Sequence, residues 1–463
     1  MAKEISAHTA NGKLADATFI IIGAGFGGIA TAIELKKRGA AVKVFESYSD
    51  MKKQGDVIMI GSNATCIIEH WGPVLDELVK IASQPPVMSI QDKSGKVLLD
   101  QHLPAEFRGH PNVFTNRGRA QQLMYDYAVS LGVEILLGSP VIEVFEDDSS
   151  AGVVVGSNKY AADAVIAADG VHSKARNFIT GQSERPKKSG FAVYRSWFPL
   201  QNLKSDPVTA PIAESPTPLF KIWIAEDTHA ILTTNVKLQA ATCFVTHKDL
   251  SDIKEDWNLA GDKKDMEKCV QGWDPLLIKI IQQIPPECLI DYKLLWRDPV
   301  RPWVSAKGRI CLVGDSAHPH LATSGTGGAQ AIEDGATLGV LLEKLGRKDI
   351  PLAFRAYERL RYERVSLTQR MGWETRHAWH QTDWELVAKD PNALSLPQPE
   401  WLNGVDATKY AGEKFDEVIA NIQSATPFVS TNIPEGYVHE DWTIEQMLAY
   451  EGKKADKDFY RTR

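Results

Sequence analysis

Cysteine is scarce: the 463-residue chain has five, at 66, 243, 269, 288 and 311, with no CxxC pair and an odd total. That excludes a disulfide framework and a structural zinc site and points to a reducing, cytoplasmic setting. No apolar run approaches the roughly eighteen residues that a membrane helix needs, so no integral membrane segment is expected. The opening MAKEISAHTANGKLAD is polar and lacks the apolar core of a signal peptide. Positive charge is not in excess either. Fifty-two Lys and Arg against fifty-nine Asp and Glu give a formal charge of −7, which removes the general electrostatic reason to expect nucleic acid or an anionic membrane as a partner. Internal repeats and low-complexity tracts are also missing, so the chain reads as a soluble globular protein long enough for two or three domains.

What is present begins with ATFIIIGAGFGGIATAIELKKRGAAVKVFE, a β-rich run, a glycine turn, a helix-period segment and a second β-rich run. Gly23, Gly25 and Gly28 form GxGxxG between strand and helix, and Glu46 closes the next strand. In that context the glycines permit a tight turn and close approach of a pyrophosphate. The helix N-terminus favours its charge, and the carboxylate accepts from a ribose hydroxyl. This spacing alone does not separate NAD from FAD.

Farther along, residues 109–180 read as a helix at RAQQLMYDYAVSLG and strands at VEILLG, PVIEVFED and ADAVIAADG. Alternating segments GFAVYRSWFPL, LFKIWIAE and HAILTTNV then suggest an antiparallel sheet, followed by the amphipathic DPLLIKIIQQI. GRICLVGD returns to a buried strand, and GGAQAIEDGATLGVLLEKL is a long helix. The expected division is 1–184 and 291–384 as two parts of an α/β domain, 185–290 as an inserted sheet domain, and 385–463 as a peripheral helical tail with a frayed, charged end.

Two later segments carry a resemblance. AADGVHSKAR resembles the Asp-Gly motif, and GDSAHPHLATSGTGG the Gly-Asp motif, of single-component (group A) FAD-dependent aromatic monooxygenases, with salicylate hydroxylase, 6-hydroxynicotinate monooxygenase and fungal secondary-metabolite enzymes among them. The resemblance runs from about residue 17 to 385. It implies an α/β fold: a Rossmann-like FAD-binding domain with an inserted antiparallel-sheet substrate domain and a C-terminal helical region. It also implies FAD as cofactor and NADPH or NADH as co-substrate. By the same resemblance Asp315, after Gly314, binds the ribityl chain, and Gly327 and Gly328 start a helix aimed at the pyrimidine side of the flavin. Pro319 stands where relatives set a proline against the ring, and Asp169 belongs to the FAD-binding and nicotinamide-approach region. In TNRGRAQQLMYDYA, Arg117 matches an FAD-contacting arginine, with Arg119 as the competing choice.

The chemistry implied is insertion of one oxygen atom from O2 into an electron-rich aromatic or heteroaromatic ring through a C4a-hydroperoxyflavin. Ala322 and Thr233-Thr234 depart from the family's frequent proline and Tyr-Pro, which implies a reshaped substrate pocket and opens the alternative of an indole alkaloid or polyketide as substrate. A flavin halogenase would carry a WxWxIP element, which is absent. A non-catalytic binding protein on this fold would have degraded flavin motifs, whereas here they are intact.

For catalysis, Arg195 in FAVYRSWF is the first candidate, because its guanidinium keeps its charge and can hydrogen-bond a phenolate or peroxide. Asp56 is a candidate base or orienting acceptor, or a turn cap. Tyr194 alternates with Arg195 and points to the opposite face. His318 is expected to be held by backbone hydrogen bonds, Trp197 and Trp223 to be core residues or an aromatic floor, and the arginines at 355, 359, 361, 364, 370 and 376 to form a solvated helix face. No metal is expected, since the histidines lack zinc-site spacing.

Overall fold

The computed structural model describes residues 3–4, 12–51, 55–182, 186–249 and 259–449. Every residue of β1 (Thr18–Ile22) is buried, as a parallel strand covered on both faces requires. The chain crosses through α1 (Phe26–Lys37) to β2 (Ala41–Phe45), which pairs parallel to β1 with Ile20 opposite Lys43. β3 (Val57–Ile60) is followed by the hairpin β4 (Val87–Asp92) and β5 (Val97–His102), and then by β6 (Val113–Asn116), which returns antiparallel to β3. α2 (Arg117–Ser130) starts where the Asn116 side chain accepts from the Arg119 N–H, an N-cap that satisfies one orphan donor. β7 (Glu134–Leu136), β8 (Ala164–Ala167) and α3 (Lys174–Thr180) complete the first pass.

The second unit contains β9 (Lys187–Ser196), β10 (Phe220–Ala225), β11 (Thr228–Asn235), β12 (Ala240–Lys248), α4 (Pro275–Gln282) and β13 (Leu289–Trp296). The chain then re-enters the first unit with β14 (Ile310–Leu312), α5 (Gly327–Leu345) and α6 (Ile350–His380). The five-stranded parallel sheet has the order β7-β2-β1-β8-β14, so the late strand β14 lies beside the early strand β8.

The second sheet runs β13-β9-β12-β11-β10-β4-β5. It is therefore not confined to residues 185–290, as the alternation in that stretch suggested. The β4–β5 hairpin, more than a hundred positions upstream, covers the β10 edge with Ile90 opposite Ile222, and this one contact is parallel in an otherwise antiparallel sheet. One face of the sheet buries Tyr194, Trp223, Ala230 and Leu232 against Leu277, Ile280 and Ile281 of α4. Ile222 and Ile224 pack on Trp379 of α6.

α1 and α5 cross at van der Waals distance. A Cβ at Gly335 would stand 2.7 Å from the Thr31 nitrogen, so only glycine lets the backbones meet there. On α6 the expectation of a solvated arginine face fails: Arg355 is exposed and Arg359 and Arg370 are half-buried, but Arg361, Arg364 and Arg376 are buried. The physical reason lies on α5, where Glu333 and Asp334 are fully buried and must be neutralised. Arg361 pairs with both carboxylates, its Nε at 2.9 Å from Asp334, and Arg364 holds Glu333 through Nε and Nη2, each at 2.9 Å.

The C-terminal segment is likewise not peripheral. Arg364 donates to the carbonyls of Trp401, Leu402 and Asn432 at 2.6–2.8 Å, and α7 (Ile444–Ala449) buries Ile444 and Met447 against Leu321, Trp296 and Trp373. The expected frayed end, 450–463, lies outside the described residues.

At the junction of sheet and α6, His229 Nδ1 and His380 Nε2 share a hydrogen bond of 2.7 Å. Burial, reinforced by the charge of Arg376, lowers His229 to about 3 and His380 to about 2, and burial with the neighbouring His318 lowers His320 to about 3. All three bind a proton less readily folded than unfolded, so stability is complete above their ordinary value of 6.5 and declines as pH falls towards 3. Urea unfolding between pH 7.5 and 4.5 is expected to show this decline, and His380→Phe to make it shallower.

Candidate active site

The three glycines of the first turn have three different reasons to be glycine. Gly23 has φ +94°, and a Cβ there would lie 2.4 Å from the Ala168 carbonyl oxygen. A Cβ on Gly28 would overlap the Gly23 oxygen at 2.0 Å. At Gly25, by contrast, a Cβ meets nothing within 4 Å, although this residue caps α1. That open volume at a helix N-terminus is where an anion can approach the backbone. Glu46, at the end of β2, lies beside the same turn: its carboxylate accepts from Ala24 N at 2.7 Å and from Tyr48 N at 2.9 Å.

β14 delivers the second wall. Gly314 has φ +59°, its carbonyl accepts from the Ala317 and His318 N–H groups, and the resulting tight turn presents Asp315 outwards. Asp315 is exposed, yet protein crowds it on most sides, so desolvation raises its pKa against the opposing charges of Arg117 and His318. An exposed carboxylate in such surroundings sits on the floor of a cleft. The bearing of Arg117 on Asp315 distinguishes it from Arg119, which is exposed on α2.

Asp169 accepts from the Lys174 N–H at 2.9 Å through Oδ2 and so buttresses the start of α3. Its Oδ1 is buried with no hydrogen-bond partner among the described residues, and burial raises its pKa. Pro319 is buried, and its carbonyl accepts from Gln369 at 2.9 Å. Gly327 and Gly328 open α5 without a side-chain cap. Cβ atoms there would come within 3.1 Å of the His320 Cβ and 2.9 Å of the Ile58 Cδ1, so the glycines let the motif loop and β3 close on the helix end.

Arg195 and Asp56 meet across the two units, Nη1 to Oδ2 at 2.8 Å, with 13% and 12% of each side chain exposed. Asp56 is therefore an ion-pair partner and not a side-chain turn cap; its backbone carbonyl accepts from Arg117 N. The Arg195 guanidinium also lies over the Tyr292 ring at 4.9 Å. Cross-strand register sets Arg195, Phe244 and Ile231 side by side on one sheet face, with Thr242, Thr233 and Phe220 in the next row. Phe220, Ile231 and Phe244 remain partly exposed although they sit mid-sheet, and Phe114 meets Phe220 edge-on at 5.7 Å. Phe244 and Ile231 thus share the register row of Arg195, and Phe220 lies in the next.

Tyr194 lies on the opposite face, stacked on His247 at 4.6 Å, as the strand alternation required. Trp223 is core and not floor: it is fully buried and donates to Asp274 at 2.9 Å. Trp197 is half-buried. His318 departs from the expectation of backbone partners, since its ring reaches the buried Asp334 at 2.6 Å. Arg176 was not singled out in the sequence. Its guanidinium bridges the Ala317 carbonyl at 3.1 Å and the Asp298 carbonyl at 2.8 Å, tying the Asp169 segment to the Asp315 turn. Its place at the end of AADGVHSKAR was the available signal.

A glycine turn with open space at a helix N-terminus, a carboxylate beside it, an exposed carboxylate on the Gly314 turn and an uncapped helix end are the features that a site for a dinucleotide bearing a second ring system requires. The FAD binding domain family matches residues 16–366. The chain belongs to the FAD-dependent monooxygenases. Asperlicin C monooxygenase of Petromyces alliaceus is 34% identical over 87% of this chain and 89% of its own. The crystal structure of FqzB superposes with a TM-score of 0.83 at 34% identity, over 90% of this chain and 96% of that one. CtdE, solved with FAD and a substrate, gives 0.83 at 31%, over 88% and 100%. Among the described residues of this monooxygenase no helix is long and apolar enough to cross a membrane, and no cluster of His, Cys, Asp or Glu could hold a metal ion.

Because the space at Gly25 is open, Gly25→Ala is expected to leave the melting temperature of the apoprotein unchanged while weakening FAD binding, read by quenching of flavin fluorescence. Arg117→Ala is expected to weaken FAD binding in the same titration, and Arg119→Ala to leave it unaltered.

Proposed function

We propose that this monooxygenase consumes NADPH or NADH and O2 to place one oxygen atom on an electron-rich aromatic or heteroaromatic substrate, the second oxygen leaving as water. The balance is substrate, O2, NAD(P)H and a proton giving hydroxylated or epoxidised substrate, water and NAD(P)+. Bound FAD supplies the activation of O2 by the electrons of the nicotinamide. The chain's own residues bind, orient and exclude water.

In this reading Gly23, Gly25 and Gly28 bring the backbone to the pyrophosphate, and Glu46 accepts from a ribose hydroxyl. Arg117, Asp169, Gly314 and Asp315 hold the middle of the cofactor, and Pro319 borders its ring. The N–H groups at Gly327 and Gly328 face its pyrimidine side, where the positive end of the α5 dipole favours negative charge by about 0.3–1 kcal/mol, more when partly buried.

The single observation that carries the substrate assignment is the Arg195–Asp56 ion pair beside partly exposed Phe220, Phe244 and Ile231. Aromatic side chains accept a planar ring, and Arg195 donates to an oxygen that gains negative charge as the reaction proceeds. Asp56 holds the guanidinium in place. Relatives in fungal secondary metabolism, including one whose name specifies asperlicin C, favour hydroxylation or epoxidation of an indole alkaloid or polyketide as the physiological version of this chemistry. Intact glycine and aspartate motifs speak for catalysis and against a binding-only role.

The test is an absorbance spectrum of the purified protein, then NADPH and NADH oxidation with phenolic acids, hydroxypyridines, indoles and aromatic polyketides. Flavin bands and stimulation by one class are expected; a protein that cannot be loaded with FAD would overturn the reading. Arg195→Ala is expected to keep its FAD and lose at least tenfold in substrate-stimulated turnover, about the worth of one charge-assisted hydrogen bond. Unchanged turnover removes Arg195 from the chemistry.

A further inference from the structure

The turn that presents Asp315 is held by a carboxylate belonging to neither glycine motif. Asp334 sits in the second turn of α5 and is fully buried. Its Oδ2 accepts two hydrogen bonds, from Gly314 N at 2.9 Å and from His318 Nε2 at 2.6 Å, which lie at the two ends of the Gly314–His318 turn. Its Oδ1 accepts from Arg361 Nε at 2.9 Å. One side chain thus staples both ends of the turn to α5, and an arginine on α6 fixes that side chain in turn.

The following residues are pinned to the same helices. The His320 ring bonds the His318 carbonyl at 2.7 Å and Thr368 of α6 at 2.8 Å, and Gln369 of α6 donates to the Pro319 carbonyl at 2.9 Å. α5 is also the helix whose N-terminus opens at Gly327 and Gly328. The separation between the Asp315 carboxylate and that helix end is therefore set by these contacts, and Asp334 supplies the one that grips both ends of the turn.

We propose that Asp334 is a positioning residue for the flavin. It touches neither substrate nor cofactor, and it fixes Asp315 relative to the N-terminus of α5 so that one FAD molecule meets both. His318 is its second arm, acting as a donor to Asp334. The alternative is an ordinary core ion pair, which would contribute to stability and leave the bound flavin unaffected.

The two are separated by measuring the flavin itself. Asp334→Asn keeps the volume but cannot accept from Gly314, His318 and Arg361 together, since one of its two positions becomes a donor. The expected result is a far-UV circular dichroism spectrum like that of the wild type, an FAD dissociation constant raised about ten- to a hundred-fold, and, at saturating FAD, a shifted visible spectrum and midpoint potential. Asp315→Ala serves as the reference for direct loss of a ribityl contact; if it binds FAD as the wild type does, the assignment of Asp315 fails, separately from that of Asp334.

His318→Gln, which retains a donor, is expected to bind FAD within about twofold of the wild type, and His318→Leu to weaken it about tenfold or more. This pair decides the matter if Asp334→Asn does not fold. An unshifted dissociation constant and potential in a folded Asp334→Asn, or equal FAD affinity in His318→Leu and His318→Gln, would overturn the proposal.

Discussion

Two adjacent carboxylates, Glu333 and Asp334, are buried in the middle of this protein, and most of the architecture follows from the need to neutralise them. An unpaired buried carboxylate costs several kcal/mol, and removing one partner of such a pair destabilises by about 3–5 kcal/mol. Arg361 and Arg364 supply the charge from α6, with Asn63 and Gln330 adding donors to Glu333. Burial alone would raise Asp334, yet His318 and Arg361 hold it down to about 2. The geometry admits one axial register of α6 on α5, because arginines three positions apart must meet carboxylates on neighbouring positions. Arg364 then extends the constraint to the C-terminal segment through three main-chain carbonyls.

From that cluster the candidate site is assembled in layers. α1 crosses α5 so closely that glycine is required at the contact, which brings the first glycine turn and the Asp315 turn to the same edge of the parallel sheet. β8 lies between β1 and β14 and carries Asp169 just past its end. The strands end together on one side of the sheet, where open α/β folds bind their ligands. The second sheet meets the first unit through the Arg195–Asp56 ion pair, through hydrogen bonds from Asn235 and Lys237 to the Ile81 and Val79 carbonyls, and through the His229–His380 contact on α6. A half-buried charged pair of this kind fixes the orientation of the two units more than it adds stability.

Local features were legible from the residues. The βαβ unit, the long helix after GTGG, a helix over 351–384 that the structure ends at His380, and the opposite facing of Tyr194 and Arg195 rest on periodicities of 3.6 and 2, which act over a few residues. The division of roles among the glycines was legible in kind. Which of them faced open space was not, because that depends on what other segments leave unfilled at Gly25 and fill at Gly28. The arginine-rich helix was misread for the same reason. A charged side chain on an amphipathic helix is exposed unless an opposite charge is buried across from it, and the buried partners lie about thirty residues away in a helix whose own acids read as ordinary.

The sequence by itself determined the two glycine-rich turns, because the positive-φ backbone at Gly23 and Gly314 and the approach of Gly28 to the Gly23 carbonyl are open to glycine and are local to each motif. Tertiary structure alone decided what those turns face. The β4–β5 hairpin joining the second sheet, Asp56 meeting Arg195, Asp334 stapling the Asp315 turn and the C-terminal segment threading onto Arg364 are contacts between positions from 16 to 139 residues apart. Such pairings are set by burial and charge balance over the whole fold, and a pattern read over a few neighbouring residues does not contain them.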